Sequence, residues 1–126
     1  MSRILCAAVV VLLLCSCGGG SEAIRRGVGA ECNASLTCSE ADQVCLTEFK
    51  GGYCGRSACL HDADCPQGSA CVTDDGQVNY CFLVCLDKPE CNGGRDAEEE
   101  SNCSSNITFV DEQDDNIKAC VPPSSG

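Results

Sequence analysis

Twelve cysteines between Cys32 and Cys120 fall into three groups of four, and no other feature of the chain restricts its fold as much. The first group is Cys32, Cys38, Cys45 and Cys54, with gaps of five, six and eight residues. The second is Cys59, Cys65, Cys71 and Cys81, with gaps of five, five and nine. The third is Cys85, Cys91, Cys103 and Cys120, with gaps of five, eleven and sixteen. Linkers of four and three residues join the groups. Flanking residues agree with this alignment. Cys45-Leu46-Thr47-Glu48 matches Cys71-Val72-Thr73-Asp74, and Gly52-Tyr53-Cys54 matches Asn79-Tyr80-Cys81. Cys59-Leu60 with Asp64-Cys65 likewise matches Cys85-Leu86 with Glu90-Cys91. An internal repeat at fixed spacing marks repeated structural units. They are placed at 31–56, 57–83 and 84–126, the last being loop-extended and carrying a tail.

Such units have to be covalently stapled. From Cys17 onward only 18 of 110 residues are Leu, Ile, Val or Phe, and Trp is absent. An acidic chain that poor in apolar residues is expected to be disordered unless something replaces the missing core. A disulfide closing about 15 residues stabilises by roughly 3 kcal/mol, largely through the unfolded chain. The expected fold class is therefore small and disulfide-rich: three tandem four-Cys modules with short strands, many turns and little regular secondary structure. All twelve cysteines are expected in bridges, which form in an oxidising compartment. Three pairings per unit, hence twenty-seven combinations over three units, stay open.

The N-terminus supplies a matching export signal. Met1-Ser2-Arg3 is a short basic stretch, and Ile4 to Leu14 is an eleven-residue apolar run. A membrane span needs about 20 such residues. The order basic, apolar, small reads as a signal peptide over 1–16. Leu14-Cys15-Ser16-Cys17 then resembles the lipobox of bacterial lipoproteins, in which a branched apolar residue stands three before an obligatory Cys and a small residue just before it. That resemblance implies diacylglycerol on Cys17, several acyl chains such as palmitate, and hence a membrane partner. Ordinary cleavage around Cys17 to Gly20 is the alternative, and both leave twelve later cysteines, an even number. In the lipoprotein family an Asp after the lipidated Cys favours inner-membrane retention, so Gly18 implies the outer membrane. Residues 17–30, starting Cys17-Gly18-Gly19-Gly20-Ser21, read as the lipidated Cys and a flexible tether.

The run Cys59-Leu60-His61-Asp62-Ala63-Asp64-Cys65-Pro66-Gln67-Gly68-Ser69-Ala70-Cys71 resembles the cysteine-rich N-terminal module of Dickkopf-type secreted proteins. It is also similar to the Cys-rich lipoproteins of myxobacteria. The resemblance implies a small stapled knot and no particular receptor. Asp62 and Asp64 are expected to cap turns through backbone N–H groups two residues on. Phe82-Leu83-Val84 is the one strongly apolar run of the mature chain, expected as a short strand or as the seam between the second and third units. Asp96 to Ser101 and Asp111 to Asn116 are expected as solvated acidic loops.

Chemistry has few candidates. His61 is the single histidine and lies between two cysteines expected in bridges, so no catalytic residue is assigned. Zinc sites usually show Cys pairs two to four residues apart. Only Cys54/Cys59 and Cys81/Cys85 qualify, and both straddle unit boundaries. Asp62, Asp64, Asp111, Asp114 and Asp115 are oxygen ligands of the kind calcium uses, but an EF-hand loop counted from Asp62 fails at Gln67 and Thr73. No metal and no cofactor is assigned. From Cys17 onward there are seven basic and nineteen acidic residues, a surface that repels nucleic acid.

Two functional expectations follow. One is an exported, lipid-anchored cell-envelope protein, not an enzyme, with a stapled binding or structural role toward an unknown protein or extracellular ligand. The other is a freely secreted, extracellular eukaryotic Cys-rich ligand or inhibitor. The second is kept by three glycosylation sequons, Asn33-Ala34-Ser35, Asn102-Cys103-Ser104 and Asn106-Ile107-Thr108.

Overall fold

A computed structural model describes residues 27–73 and 76–124. The signal peptide at 1–16, Cys17 and most of the tether lie outside the described residues. All twelve cysteines from Cys32 to Cys120 are bridged, each within its own unit. The pairs are Cys32–Cys45 and Cys38–Cys54, Cys59–Cys71 and Cys65–Cys81, and Cys85–Cys103 and Cys91–Cys120. One pairing of the open combinations is thus used three times, first to third and second to fourth.

The repeat extends to the backbone. In the first unit β1 (Val44–Cys45) pairs antiparallel with β2 (Cys54–Ser57), putting Cys45 opposite Cys54. In the second, β3 (Ser69–Thr73) pairs with β4 (Asn79–Cys85), and Cys71 faces Cys81. The third sets β5 (Asn102–Ser104) against β7 (Lys118–Val121), with Cys103 opposite Cys120. The third and fourth cysteines of every unit are cross-strand partners; in the first two units the other two reach in from preceding loops, while in the third Cys85 ends β4 and Cys91 lies in a one-turn 3-10 helix. The expected class holds: small, disulfide-rich, with short antiparallel strands and one-turn 3-10 helices at Asp62–Asp64, Lys88–Cys91 and Ala97–Glu99.

The units nevertheless share one sheet. Its path runs β1-β2-β4-β3-β6, where β6 is Thr108–Phe109, and β7 joins β4 as well as β5. β4 is the hub. Its sequence, Asn-Tyr-Cys-Phe-Leu-Val-Cys, is dense in the aromatic and β-branched residues that suit a packed strand. Arg56 and Ser57 of the first unit pair with Cys81 and Tyr80, while Ala119 and Lys118 of the third pair with Val84 and Cys85. The apolar run Phe82–Val84 is thus both strand and seam, and β4 crosses the boundary placed between 83 and 84.

The buried cluster is also common property. Leu46, Phe49 and Tyr53 come from the first unit, Val72 and Phe82 from the second, and Ala119 from the third. Phe49 and Tyr53 meet Phe82 edge-on at centroid distances of 5.6 and 5.1 Å, and Tyr80 stacks on Phe82 at 5.4 Å. Aromatic contacts of this kind compensate in part for the shortage of aliphatic residues. The tether expectation, extended to Ala30, needs correction. Ala30 is buried, and Gly29 donates its N–H to the Cys54 carbonyl at 2.9 Å, while the Cys54 N–H returns a bond to the Ala30 carbonyl at 3.0 Å. The body begins by Gly29, because the edge of the first unit needs those backbone partners.

Candidate functional site

Asp62, Asp64 and Asp111, three of the five carboxylates singled out for chemistry, are occupied by backbone and side-chain donors. Asp64 reaches back, not forward: its Oδ2 accepts from the N–H groups of Leu60 and His61 at 2.9 and 3.1 Å. Glu90, its counterpart in the third unit, accepts from Leu86 and Asp87 in the same way at 3.2 and 3.0 Å. The matched acid before the second Cys is therefore a cap on the loop that follows the first Cys. Asp62 accepts from the Cys71 N–H at 2.9 Å through Oδ1 and from the Gln113 amide through Oδ2. Asp111 accepts from the Asp62 N–H at 2.7 Å and meets His61 Nδ1 at 3.0 Å.

These bonds set the ionisation. The hydrogen bond to Asp111, and then that residue's charge, raise the exposed His61 above its usual value. The Leu60 and His61 N–H groups hold Asp64 below the usual carboxylate range, and the Asp62 N–H and His61 ring do the same for Asp111. The cluster ties the second unit's first loop to the third unit's acidic loop. The His61 ring meets a carboxylate and, among the described residues, holds no hydrogen bond to a hydroxyl.

The five aspartates considered for calcium do not converge. Among the described residues the carboxylates that gather within 4.8 Å are Glu31, Asp96 and Glu99. Glu31 accepts from the Asp96 N–H, and a hydrogen bond with Glu31 is the main cause that raises Glu99 above the usual carboxylate range. The cysteine sulfurs also cluster in threes, Cys32/Cys38/Cys54, Cys59/Cys65/Cys81 and Cys85/Cys91/Cys120. They do so because two bridges lie side by side in each unit, and a disulfide sulfur offers no thiolate to zinc.

Sequence reasoning missed Arg95. The stretch expected as a solvated loop begins beside a buried guanidinium, 8% exposed. Arg95 donates to the carbonyls of Gly52 at 2.7 Å, Lys50 at 2.8 Å, Glu99 at 2.6 Å and Gly29 at 3.3 Å. It also stands 5.8 Å from the centre of the Tyr53 ring. Burial lowers its pKa, opposed by Tyr53, Glu31 and Glu99. The side chain pins the third unit to the first. Its partners lie at least 43 positions away except for Glu99, so no local pattern announces them.

One concavity is bounded by the first two units: a groove of about 360 Å³ lined by Val28, Glu40, Asp42, Gln43, Pro66 and Leu83 among others. The sequons are all accessible, with Asn33, Asn102 and Asn106 exposed. In comparison with known proteins, no family model, no curated protein and no solved structure matches the chain.

Proposed function

We propose that the chain is an exported, lipid-anchored protein of the cell envelope whose stapled body binds or supports another extracytoplasmic component and performs no catalysis. The observation that carries this reading is the complete internal pairing of the twelve cysteines after Cys17. Bridges in that number belong to an oxidising compartment. They also leave Cys17 with no partner in the mature chain, as acylation at a lipobox-like Leu14-Cys15-Ser16-Cys17 requires. Gly18 after it supports the outer membrane, and the likeness to myxobacterial Cys-rich lipoproteins points the same way. The absence of a catalytic role is supported by His61, which is exposed and paired with Asp111, and by cysteines held as disulfides.

The test is intact mass and detergent partition of the mature protein. Acyl groups on Cys17 and partition into detergent are expected, and Cys17→Ser is expected to release the protein or leave the precursor uncleaved. Normal processing and membrane retention of Cys17→Ser would refute the anchor. The exposure of Asn33, Asn102 and Asn106 favours a second reading, free secretion with N-glycans. It predicts glycan mass on those residues and none on Cys17.

A further inference from the structure

A disulfide exchanges when a thiolate attacks one of its sulfurs and expels the other, so the sulfur that can be approached decides which one leaves. In the third unit burial makes that choice. Cys85, Cys91 and Cys120 are 2%, 3% and 0% exposed, whereas Cys103 is half-buried. Cys103 also lies on β5, which among the described strands pairs with β7 alone and so presents an open edge. A thiolate arriving from solvent meets Cys103 Sγ and expels Cys85 Sγ, the buried end of the Cys85–Cys103 bridge.

The expelled sulfur has a second bridge beside it. The Sγ atoms of Cys85, Cys91 and Cys120 all lie within 4.8 Å of one another, so Cys85 stands next to both ends of the Cys91–Cys120 bridge. The other units repeat the arrangement. In each, the sulfurs gathered within 4.8 Å belong to the first, second and fourth cysteines. Cys65 is half-buried in the second unit, and its buried partner Cys81 is grouped with Cys59 of the other bridge. Cys45 is half-buried in the first unit, and its buried partner Cys32 is grouped with Cys38 and Cys54. Attack from solvent thus frees, in every unit, a buried sulfur already placed against the remaining bridge. The third unit is the sharpest case, because one point of entry leads to a sulfur that faces both ends of its neighbour.

We infer that Cys103 is a modification site for a low-molecular-weight thiol, and that Cys85 is the resolving thiol that passes the exchange on to the Cys91–Cys120 bridge. In the first step the small thiolate bonds to Cys103 Sγ, and Cys85 leaves as a thiolate with the electron pair of the broken S–S bond. In the second, Cys85 Sγ attacks Cys91 Sγ or Cys120 Sγ, bonds to it, and expels the other as a thiolate. Each step breaks one S–S bond and forms one, so the only reagent consumed is the thiol that ends on Cys103. The proton that the incoming thiol lost is taken up by the last sulfur expelled. The product keeps one bridge in the third unit but none on β5, while the first two units stay fully stapled. This goes beyond the binding role proposed above, and holds for an anchored and for a freely secreted chain alike.

The experiment exposes the full mature chain, six bridges intact and without denaturant, to reduced glutathione at about pH 8.5, where an ordinary thiol is half ionised. Acid quenching, alkylation of free thiols and peptide mass mapping then locate the adduct, the free thiol and the bridges. In chains modified once in the third unit, glutathione is expected on Cys103, the alkyl label on Cys91 or Cys120, and Cys85 in a bridge to the other. Cys85→Ser removes the resolving thiol, and labelling of Cys91 and Cys120 is then expected to disappear. Should that variant fail to fold, the mapping of the natural chain decides alone. Three results overturn the proposal. One is glutathione on Cys103 with the label on Cys85 and the Cys91–Cys120 bridge intact. Another is first entry at Cys85, Cys91 or Cys120, or no adduct in the third unit until the chain is unfolded. The last is a folded Cys85→Ser variant in which Cys91 and Cys120 are labelled as fast as in the natural chain.

Discussion

Replacing Tyr53 with Phe removes one oxygen from the point where the three units meet. The Tyr53 side chain is fully buried in the first unit. Its hydroxyl donates to the Cys120 carbonyl of the third unit at 3.2 Å and accepts from the Leu83 N–H in β4 at 3.0 Å. Burial pushes its ionisation far above the ordinary tyrosine value, so it stays a neutral donor throughout the working pH range. Phe retains the ring contacts to Phe49 and Phe82, which isolates the two hydrogen bonds. Losing them leaves a backbone donor and a backbone acceptor short of partners in a dry site, where each unsatisfied group costs about 1–3 kcal/mol. Some relaxation will recover part of this, so about 2 kcal/mol is expected for Tyr53→Phe. Urea denaturation with the bridges intact measures it. With a slope of about 2 kcal/mol/M the midpoint should fall by about 1 M. The transition should remain single, because the hydroxyl ties all three units, and hydrogen exchange at the Leu83 amide should accelerate. A loss below about 0.5 kcal/mol, within the range of an ordinary surface change, would refute the argument. So would two transitions of which only one moves, since the units would then be separate bodies.

Arg95→Lys keeps a charge but loses the fork that serves four carbonyls, and is expected to destabilise by about 2–4 kcal/mol in the same denaturation; an unchanged midpoint would show that Arg95 does not hold the first and third units together. His61 is raised by Asp111, so its contribution is fully present below the unfolded histidine value near 6.5 and is lost as pH rises through the higher folded value. His61→Gln should therefore lower the midpoint at pH 5.5 and leave it unchanged at pH 9, and an equal deficit at both would refute the pairing. Gly52 has φ of +69°, and a Cβ there would stand 2.2 Å from the Cys32 carbonyl oxygen. Gly52→Ala is expected to cost about 3 kcal/mol or more and to depress the yield of correctly bridged protein on refolding; a normal yield would contradict the geometry.

What could be read from the chain was what is local in it. Gaps between cysteines are short-range, so the grouping of the twelve into fours showed in the spacing, and the matched positions acquire reasons in the structure. Leu46 and Val72 both follow a third Cys into the buried cluster, and Asp64 and Glu90 cap equivalent loops. Pairing inside a unit was not legible, because four cysteines at these gaps satisfy the geometry of a disulfide in more than one way. The joining of the units was hidden for another reason. Arg95, Tyr53 and Asp111 act across 43 to 67 positions on backbone groups, and a backbone carbonyl leaves no signature in a sequence.

The second-to-fourth bridge gives the protein a definite response to tension. Pulled between its ends, a chain carries load along its shortest covalent route. From Cys32 to Cys120 that route passes through the first gap of each unit, one bridge per unit and the two linkers. Drawn taut it measures roughly 110 Å, against roughly 310 Å for the same segment without bridges, at about 3.5 Å per residue. The first gap is five residues in all three units, while the gaps that vary, up to sixteen residues, hang off the load path as slack loops. Length variation within the units is thus confined to loops that a stretching force never straightens.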